Sequence, residues 1–272
     1  MGQDHATALQ NQYLDLVKDV LNRRIDDVTY REIPRNVSTP WRAARWSIYS
    51  ALNTICSMGG FALVQKGVRA RAGETMIDRV ALDTLDACVR TVVRDGVPGD
   101  LIETGVWRGG ACILMKAVLL AMGDTSRTVW VADSFRGLPK PDAGAYPADA
   151  GDTLWMDSLG VSVETVKRNF RKYGLLDDRV VFLEGWFKDT LPTAPIDRLA
   201  LMRLDGDLYE STMQALTALY PKLSIGGFCL IDDYGSIPAC AKAVHDFREQ
   251  HGIAEPLEAP QNPGPVHWRR VR

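Results

Sequence analysis

The sequence predicts an α/β protein: a doubly wound, mostly parallel sheet of the Rossmann-like type, preceded by an N-terminal helical extension. After residue 100, short apolar strands alternate with amphipathic helices. The strands are apolar on both faces, as expected for parallel strands that helices cover on both sides. Before residue 100, three stretches have the periodicity of helices and precede the first convincing strand.

The N-terminal extension is predicted to be a separate structural region. Residues 1–75 are expected to form a helical cap or lid that also offers a dimer surface, and residues 76–272 to form the main domain. Apolar residues recur three or four positions apart over 12–25 and over 39–56, which is the spacing of one helix face. A third helix is predicted over 76–93, directly before the sheet begins.

The main domain is predicted to contain five buried strands, four helices and a final edge strand. The strands are expected at 100–104, 128–133, 179–185, 198–205 and 226–232, with the edge strand at 266–272. The helices are expected at about 110–122, 162–173, 210–223 and 238–250. The segment 134–152 is rich in Pro, Gly, Ala and Asp, which is typical of a mobile loop beside a site.

Composition gives no support for nucleic-acid or membrane partners. The chain has 32 Lys and Arg against 34 Asp and Glu, a formal net charge of −2, so no excess of basic charge favours an anionic surface. No apolar run reaches the roughly 20 residues that a membrane helix requires. Five cysteines form no C-x-x-C pair, so reduced thiols and a cytoplasmic location are expected; they are Cys56, Cys88, Cys112, Cys229 and Cys240.

The first strand end has features of a nucleotide-binding site. In a doubly wound sheet, ligands bind beyond the carboxyl ends of the strands. The first strand continues into "ETGVWRGGA", where glycines allow close backbone approach and a helix N-terminus offers free N–H groups. The spacing matches neither a phosphate-binding loop nor G-x-G-x-x-G, which argues against ATP and NAD. The candidate residues here are Glu103, Thr104, Gly105, Gly109 and Gly110.

Two further strand ends complete a predicted adenosine site. Asp133 ends the second strand, where a carboxylate can accept hydrogen bonds from both ribose hydroxyls. Trp186 and Phe187 follow the third strand and could form a wall against an adenine ring. Each feature also has a plain structural reading, as a helix cap or as core, and their combination is what favours adenosine.

Three carboxylates are predicted to form a metal site where the fourth and fifth strands end. Asp205 follows "LALMRL", and Asp232 and Asp233 follow "GGFCLI". Negative charges at such a short distance would repel one another unless a cation lay between them. Oxygen ligands alone favour Mg²⁺, with Ca²⁺ or Mn²⁺ as alternatives. Taken singly, "DGD" is also typical of a turn and "DDYG" of a helix entry.

Several long motifs, in this order, resemble the macrocin O-methyltransferase family. They are "DLIETGVWRGGACILMKAVL", "VADSFRGLPKP", "KRNFRKYGLLDDRVVFLEGWFKDTLP", "MRLDGDLYEST" and "GGFCLIDDYG". The resemblance covers roughly residues 75–272 and implies a class I methyltransferase fold, S-adenosylmethionine, a divalent metal and a homodimer or higher homo-oligomer. It also implies that the acceptor is a sugar hydroxyl of an antibiotic, on a finished glycoside or a nucleotide-linked deoxysugar.

The resemblance also suggests roles for individual residues. It assigns the catalytic base to Asp205, beside the metal; if Asp205 is fully committed to the ion, Asp207 is the freer base. The predicted cofactor-binding set further includes Ser134, Gly185 and Asp205.

Two other enzymes share part of this pattern. A catechol or other phenolic O-methyltransferase has the same fold and use of a metal, with a more acidic acceptor. An NAD-dependent sugar dehydrogenase would also bind adenosine at Asp133, but it needs a constellation such as Tyr-x-x-x-Lys. Tyr30, Tyr49, Tyr173 and Tyr234 are not followed by Lys at that spacing.

Overall fold

The computed structural model describes residues 2–22, 73–152, 155 and 159–272. Apart from Gly73, the described residues belong to one compact unit that comprises Met1–Asn22 and Glu74–Arg272. The helix predicted over 39–56 and the thiol of Cys56 lie outside the described residues. The assignment of residues 1–75 to a cap and dimer surface stays a prediction.

A six-stranded sheet runs through the centre of this unit, in the order β3–β2–β1–β4–β5–β6. The first five strands are parallel, and β6 runs antiparallel to β5 at the edge. This arrangement confirms the predicted doubly wound, mostly parallel sheet. The strands are β1 Asp100–Thr104, β2 Val129–Asp133, β3 Val180–Glu184, β4 Leu199–Leu204, β5 Leu223–Ile231 and β6 Val266–Arg269.

Seven α-helices surround the sheet within the described residues. Among them, none combines the length and the apolar character that crossing a bilayer requires. The link from β3 to β4 contains only one helical turn, as its length predicts. The helices are α1 Gly2–Leu21, α2 Arg79–Arg94, α3 Gly110–Ala121, α4 Val163–Lys172, α5 Phe187–Thr190, α6 Tyr209–Leu219 and α7 Pro238–Gln250.

Successive side chains along each strand point to opposite faces of the sheet, so the core consists of two clusters, one on each face. Leu101 and Leu201 face a cluster that includes buried residues of α1 to α4. Ile102 and Met202 face a second cluster, packed with residues of α6 and α7. Helix α1 contributes Leu14, Val17 and Leu21 to the first cluster. The four cysteines in the described residues are buried free thiols, as predicted: Cys88, Cys112, Cys229 and Cys240.

Several elements differ in extent from their predictions: α1 spans Gly2–Leu21 where the pattern covered 12–25, α6 ends at Leu219, before 223, and β6 ends at Arg269, before 272. Two further differences have local reasons. Helix α2 begins at Arg79 instead of residue 76 because the side chain of Asp78 caps it, accepting a hydrogen bond from the Ala81 N–H at 2.9 Å. Strand β5 begins at Leu223, three residues early, because the helix before it ends at Leu219 and a short 3₁₀ turn containing Pro221 follows.

The strand order brings the ends of β1, β4 and β5 side by side. The chain winds outward from β1 through β2 to β3 and then returns to β4 on the other side of β1, so the connections diverge between β1 and β4. The Asp205 N–H donates to the carbonyl of Thr104 at 2.9 Å, and the Asp232 N–H donates to that of Leu204 at 3.0 Å. These bonds hold the three strand ends level with one another.

Candidate active site

A cavity of about 250 Å³ opens at this divergence of the strands. It is bordered by the ends of β1, β2 and β4, by the loop after β2 and by the first turns of α5 and α6. Seven of the predicted site residues line the cavity, and none of them comes from the end of β5. They are Gly105, Asp133, Ser134, Trp186, Phe187, Asp205 and Asp207. The structure therefore brings the predicted adenosine residues and two of the acids to one place.

The glycines after β1 serve packing between chain segments. Gly105 lies at φ +80°, and a Cβ there would come within 1.6 Å of the carbonyl oxygen of Asp205. Added Cβ atoms at Gly109 and Gly110 would meet Val166 and the backbone of Glu74. Of these three glycines, only Gly105 lines the cavity. Close approach of β1 to β4 thus accounts for Gly105, and the cofactor roles predicted for Gly109 and Gly110 stay predictions.

Asp133 joins the two loops that border the cavity. Its carboxylate accepts hydrogen bonds from the N–H groups of Val106 and Phe135, each at 2.7 Å. Burial raises the pKa of Asp133 above its ordinary value, and the backbone N–H donors oppose that rise. Ser134 donates to the carbonyl of Gly137 at 2.7 Å, which turns the loop after β2 along the cavity wall.

Trp186 and Phe187 form part of the opposite wall, where the chain turns from β3 into α5. Both rings are half-buried, so they offer apolar surface to the cavity, and Phe187 also packs against the second core cluster. Gly185 precedes them at φ +146°, a conformation that favours glycine, and does not line the cavity.

Three carboxylates meet at the ends of β4 and β5, and two of them, Asp205 and Asp207, line the cavity. Asp205, Asp207 and Asp233 each offer an oxygen, and these oxygens all lie within 4.8 Å of one another. Asp207 has φ +59°, an uncommon conformation for a residue with a side chain, and its N–H donates to Asp233 Oδ2 at 3.0 Å. The turn "DGD" thus directs the second aspartate back toward the end of β5.

Burial and the surrounding acids raise the pKa values of Asp205 and Asp233. Burial, together with the charges of Asp232 and Asp233, raises the pKa of Asp205 well above its ordinary range, although Arg203 opposes the rise. Burial and the charges of Asp207 and Asp232 raise the pKa of Asp233 to about 7. Such a group of acids is electrostatically unfavourable by itself, and a bound cation would reduce the repulsion between the carboxylates.

The group of three differs from the predicted ligand set in one member. Asp205 and Asp233 belong to both sets, Asp207 joins them in the observed group, and the role of Asp232 as a metal ligand stays a prediction. The carboxylate of Asp232 turns toward Arg203, whose Nη2 lies 2.5 Å from its Oδ1.

Glu103 and Thr104, predicted to bind the cofactor, lie beneath the cavity and do not line it. Glu103 is buried in an ion pair with Arg203. The hydroxyl of Thr104 is also buried and has no hydrogen-bond partner among the described residues.

The cavity also has lining residues that sequence reasoning missed. Trp107 lay inside the quoted motif "ETGVWRGGA" and could have been found there. Glu210 and Gln214 are four residues apart on the helix after "DGD", a spacing that places both on one face. Met76 and Leu159 come from segments without a local signal. Lys188, Gly206 and Ser211 were also missed, whereas the lining residues Gly137, Leu138, Pro139, Lys140 and Asp142 lie in the segment 134–152 that was predicted to lie beside a site.

Asp149 fastens the loop after β2 to helix α6. Leu208 stands at the N-cap of α6 and cannot cap it with its side chain. Instead, the buried carboxylate of Asp149 accepts hydrogen bonds from the N–H groups of Tyr209 and Glu210, at 2.7 and 3.0 Å. The predicted loop is therefore anchored in this structure, because a residue sixty positions away supplies the cap that α6 lacks.

Replacement of Asp149 by alanine should loosen this loop. We expect a loss of about 1 kcal/mol of stability, typical of a missing N-cap, and faster hydrogen exchange over residues 138–152 and the first turn of α6. Hydrogen-exchange mass spectrometry measures both regions, with Asp178→Ala, an exposed aspartate before β3, as the matched control. Unchanged exchange in both regions would show that Asp149 does not anchor the loop.

Comparison with known proteins identifies the family. The family model for macrocin O-methyltransferases (TylF) matches residues 10–270. The chain belongs to this family. The O-methyltransferase activity predicted from the motifs is thereby confirmed, and the family match extends beyond the predicted range, to residue 10.

Individual relatives agree with the family assignment. The 8-demethyl-8-(2,3-dimethoxy-α-L-rhamnosyl)-tetracenomycin-C 4′-O-methyltransferase of Streptomyces olivaceus is 57% identical over 199 residues, which cover 72% of this chain and 76% of that one. The mycinamicin III 3″-O-methyltransferase of Micromonospora griseorubida is 54% identical over 200 residues, 72% of this chain and 78% of that one. These relatives are sugar O-methyltransferases of antibiotic biosynthesis, and methyltransferases of this kind use S-adenosylmethionine.

Solved structures confirm the class I methyltransferase fold. The O-methyltransferase NovP superposes with a TM-score of 0.78 at 42% identity, covering 97% of this chain and all of that one. The calicheamicin methyltransferase CalS11 superposes with a TM-score of 0.58 at 21% identity, over 90% of this chain and 99% of that one, which supports the fold alone.

Proposed function

We propose that this enzyme uses a divalent cation, with Mg²⁺ favoured, to methylate a sugar hydroxyl of an antibiotic glycoside or of a nucleotide-linked deoxysugar. The observation that carries the proposal is the group of carboxylates at the ends of β4 and β5, two of which line the cavity that Asp133, Trp186 and Phe187 border. The sugar substrates named for the relatives support the choice of acceptor.

The chemistry of the donor set fits a hard divalent ion. The cluster offers only carboxylate oxygens, and no histidine or thiol belongs to it within the described residues. Asp205, Asp232 and Asp233 would hold the ion; Arg203 contacts Oδ1 of Asp232 and Oδ2 of Asp205, which leaves each of them a second oxygen. When bound, the ion would supply Lewis-acid polarisation of the acceptor hydroxyl.

The cavity walls fit an adenosyl cofactor. Asp133 presents a half-buried carboxylate suited to ribose hydroxyls, and Trp186 and Phe187 present apolar surface suited to adenine. When bound, S-adenosylmethionine supplies an activated methyl group, so the protein's main contributions are to align the acceptor and to remove its proton.

Asp207 is the best placed general base. An aliphatic sugar hydroxyl is barely ionised at neutral pH, so its proton must pass to a nearby group as the oxygen attacks the methyl carbon. Asp205 is engaged by Arg203 and would be engaged by the ion. Asp207 lines the cavity, lies within 4.8 Å of the Asp205 and Asp233 oxygens, and can accept that proton.

Calorimetry with the two competing cofactors tests the cofactor part of the proposal. We expect S-adenosylhomocysteine to bind to EDTA-treated protein and NAD not to bind, with or without added Mg²⁺. Binding of NAD alone would contradict the proposal.

A methyl-transfer assay tests the acceptor and the metal. Labelled S-adenosylmethionine is supplied with an aryl α-L-rhamnoside or with simple catechol, in Mg²⁺ and in EDTA. We expect Mg²⁺-dependent transfer to the sugar; transfer to catechol alone would favour a phenolic enzyme, and equal rates in EDTA would exclude the metal.

A further inference from the structure

One buried arginine contacts three of the carboxylates at the strand ends. Arg203 lies on the central strand β4, and its side chain is only 4% exposed. Its Nη1 donates to Glu103 of β1 and to Asp205 Oδ2, the latter at 2.9 Å, and its Nη2 donates to Asp232 Oδ1 at 2.5 Å. A single guanidinium therefore connects β1, β4 and β5.

The register of the sheet dictates this position. Glu103 and Arg203 are direct partners in the β1–β4 ladder, so their side chains lie next to each other on the same face. Asp205 follows Arg203 by two residues and falls on that face as well. Asp232 follows β5, the neighbour of β4 on the other side. The arginine is thus enclosed by acids that the strand geometry places around it.

Glu103 holds the arginine from beneath the cavity. It is 2% exposed, and Cys112 of α3 donates its S–H to the second carboxylate oxygen of Glu103 at 2.8 Å. Glu103 is therefore removed from the cavity, with one oxygen fixed by the thiol and the other by the guanidinium. A planar guanidinium with several donors suits such bridging, whereas a lysine ammonium is a compact point charge on a flexible stem.

We propose that Arg203 is the positioning residue of the metal site: it fixes the side-chain orientations of Asp205 and Asp232, and Glu103 in turn fixes Arg203. This inference rests on the proposed function, because it takes these aspartates to be metal ligands. Backbone hydrogen bonds hold the strand ends level but leave the carboxylates free to rotate. The guanidinium removes that freedom by binding one oxygen of each aspartate, and the other oxygen remains for the ion.

A different role for Arg203 would change the metal affinity in the opposite direction. If Arg203 were merely a counter-charge that the ion must displace, weakening its contacts would tighten metal binding. If it positions the ligands, weakening its contacts must loosen metal binding, as commonly found for groups that orient metal ligands. The direction of the change therefore distinguishes the two roles.

The test measures Mn²⁺ affinity by electron paramagnetic resonance in Arg203→Lys and Glu103→Gln. Arg203→Lys keeps the charge but cannot bridge three carboxylates in one plane, and Glu103→Gln keeps the arginine but removes its ionic anchor. Arg198→Lys, an exposed arginine just before the same strand, is the matched control. We expect Arg203→Lys to weaken Mn²⁺ binding about 10- to 100-fold and Glu103→Gln to weaken it less.

Two accompanying measurements separate positioning from general damage. S-adenosylhomocysteine affinity should change less than about threefold, and thermal unfolding should stay cooperative. For scale, a tenfold change in Mn²⁺ affinity corresponds to about 1.4 kcal/mol. If Arg203→Lys does not fold, Glu103→Gln decides the matter alone. Unchanged or tighter Mn²⁺ binding in the folded variants overturns the inference. Absence of Mn²⁺ binding in the unaltered protein overturns the proposed metal itself, and with it this role of Arg203.

Discussion

Asp205→Asn is expected to lower the rate of methyl transfer at least about 10³-fold while S-adenosylhomocysteine still binds. Asparagine has nearly the same shape but no negative charge, so the variant loses a metal ligand at the centre of the carboxylate group. Burial and the charges of neighbouring acids raise the pKa of Asp205, which means that its ionisation is unfavourable in the folded protein. The metal-free variant should therefore unfold at no lower a temperature than the unaltered protein.

The experiment combines single-turnover rates, Mn²⁺ binding and thermal unfolding. Asp197→Asn, an aspartate that is exposed just before β4, serves as the matched control and should change none of the three. Retained turnover in folded Asp205→Asn would remove Asp205 from the mechanism. Loss of cofactor binding together with the fold would show that Asp205 is needed for structure and not for the chemistry.

Asp207→Asn is expected to lower the rate about 10²- to 10⁴-fold, the range typical of a lost general base, while Mn²⁺ still binds. Its carboxylate lies beside those of Asp205 and Asp233 and lines the cavity, so its loss should affect proton removal more than ion binding. The turn itself should persist, because asparagine also tolerates a positive φ.

The rate and the Mn²⁺ affinity of Asp207→Asn must be compared with those of Asp205→Asn. The proposed division of roles predicts that both variants are slow and that only Asp205→Asn loses the ion. If Asp207→Asn also loses Mn²⁺ binding, Asp207 is a ligand, and the base must be sought elsewhere on the cavity wall. If it keeps full activity, the reading of Asp207 as base is wrong.

The fold could be predicted from local patterns because burial leaves a clear record in the sequence. Strand β2, "VWVAD", is apolar on both faces and proves to be buried between two layers of helices. The amphipathic pattern of 162–173 corresponds to α4, which Ser162 caps. The edge strand predicted over 266–272 corresponds to β6, Val266–Arg269.

The site could be predicted as far as strand ends define it. Parallel strands bring their carboxyl ends to one edge, so the convergence of Asp205 and Asp233 followed from the strand pattern. The orientation of Asp232 did not, because a side chain at a strand end turns toward the best partner available. That partner, Arg203, was visible in "MRLD" as a charged residue within an otherwise apolar strand, and it could have been recognised as a buried cation needing acids on both sides.

Contacts between distant segments could not be predicted from one sequence. The capping of α6 by Asp149 joins residues sixty positions apart, and no local pattern near Asp149 indicates its partner. Gly105 was assigned to ligand approach and does line the cavity, but the nearby Asp205 carbonyl, which also requires a glycine there, could not be foreseen. In both cases, the deciding neighbour belongs to a different element of the chain.

The position of the ion is the most direct test of the central claim. Crystals of the protein soaked with Mn²⁺ and S-adenosylhomocysteine would be measured at the manganese absorption edge. We predict one anomalous peak bound by Asp205, Asp232 and Asp233, with the cofactor product in the cavity beside Asp133 and Asp207 left free of the metal. A cavity that holds S-adenosylhomocysteine with no anomalous peak at the ends of β4 and β5 would contradict the claim.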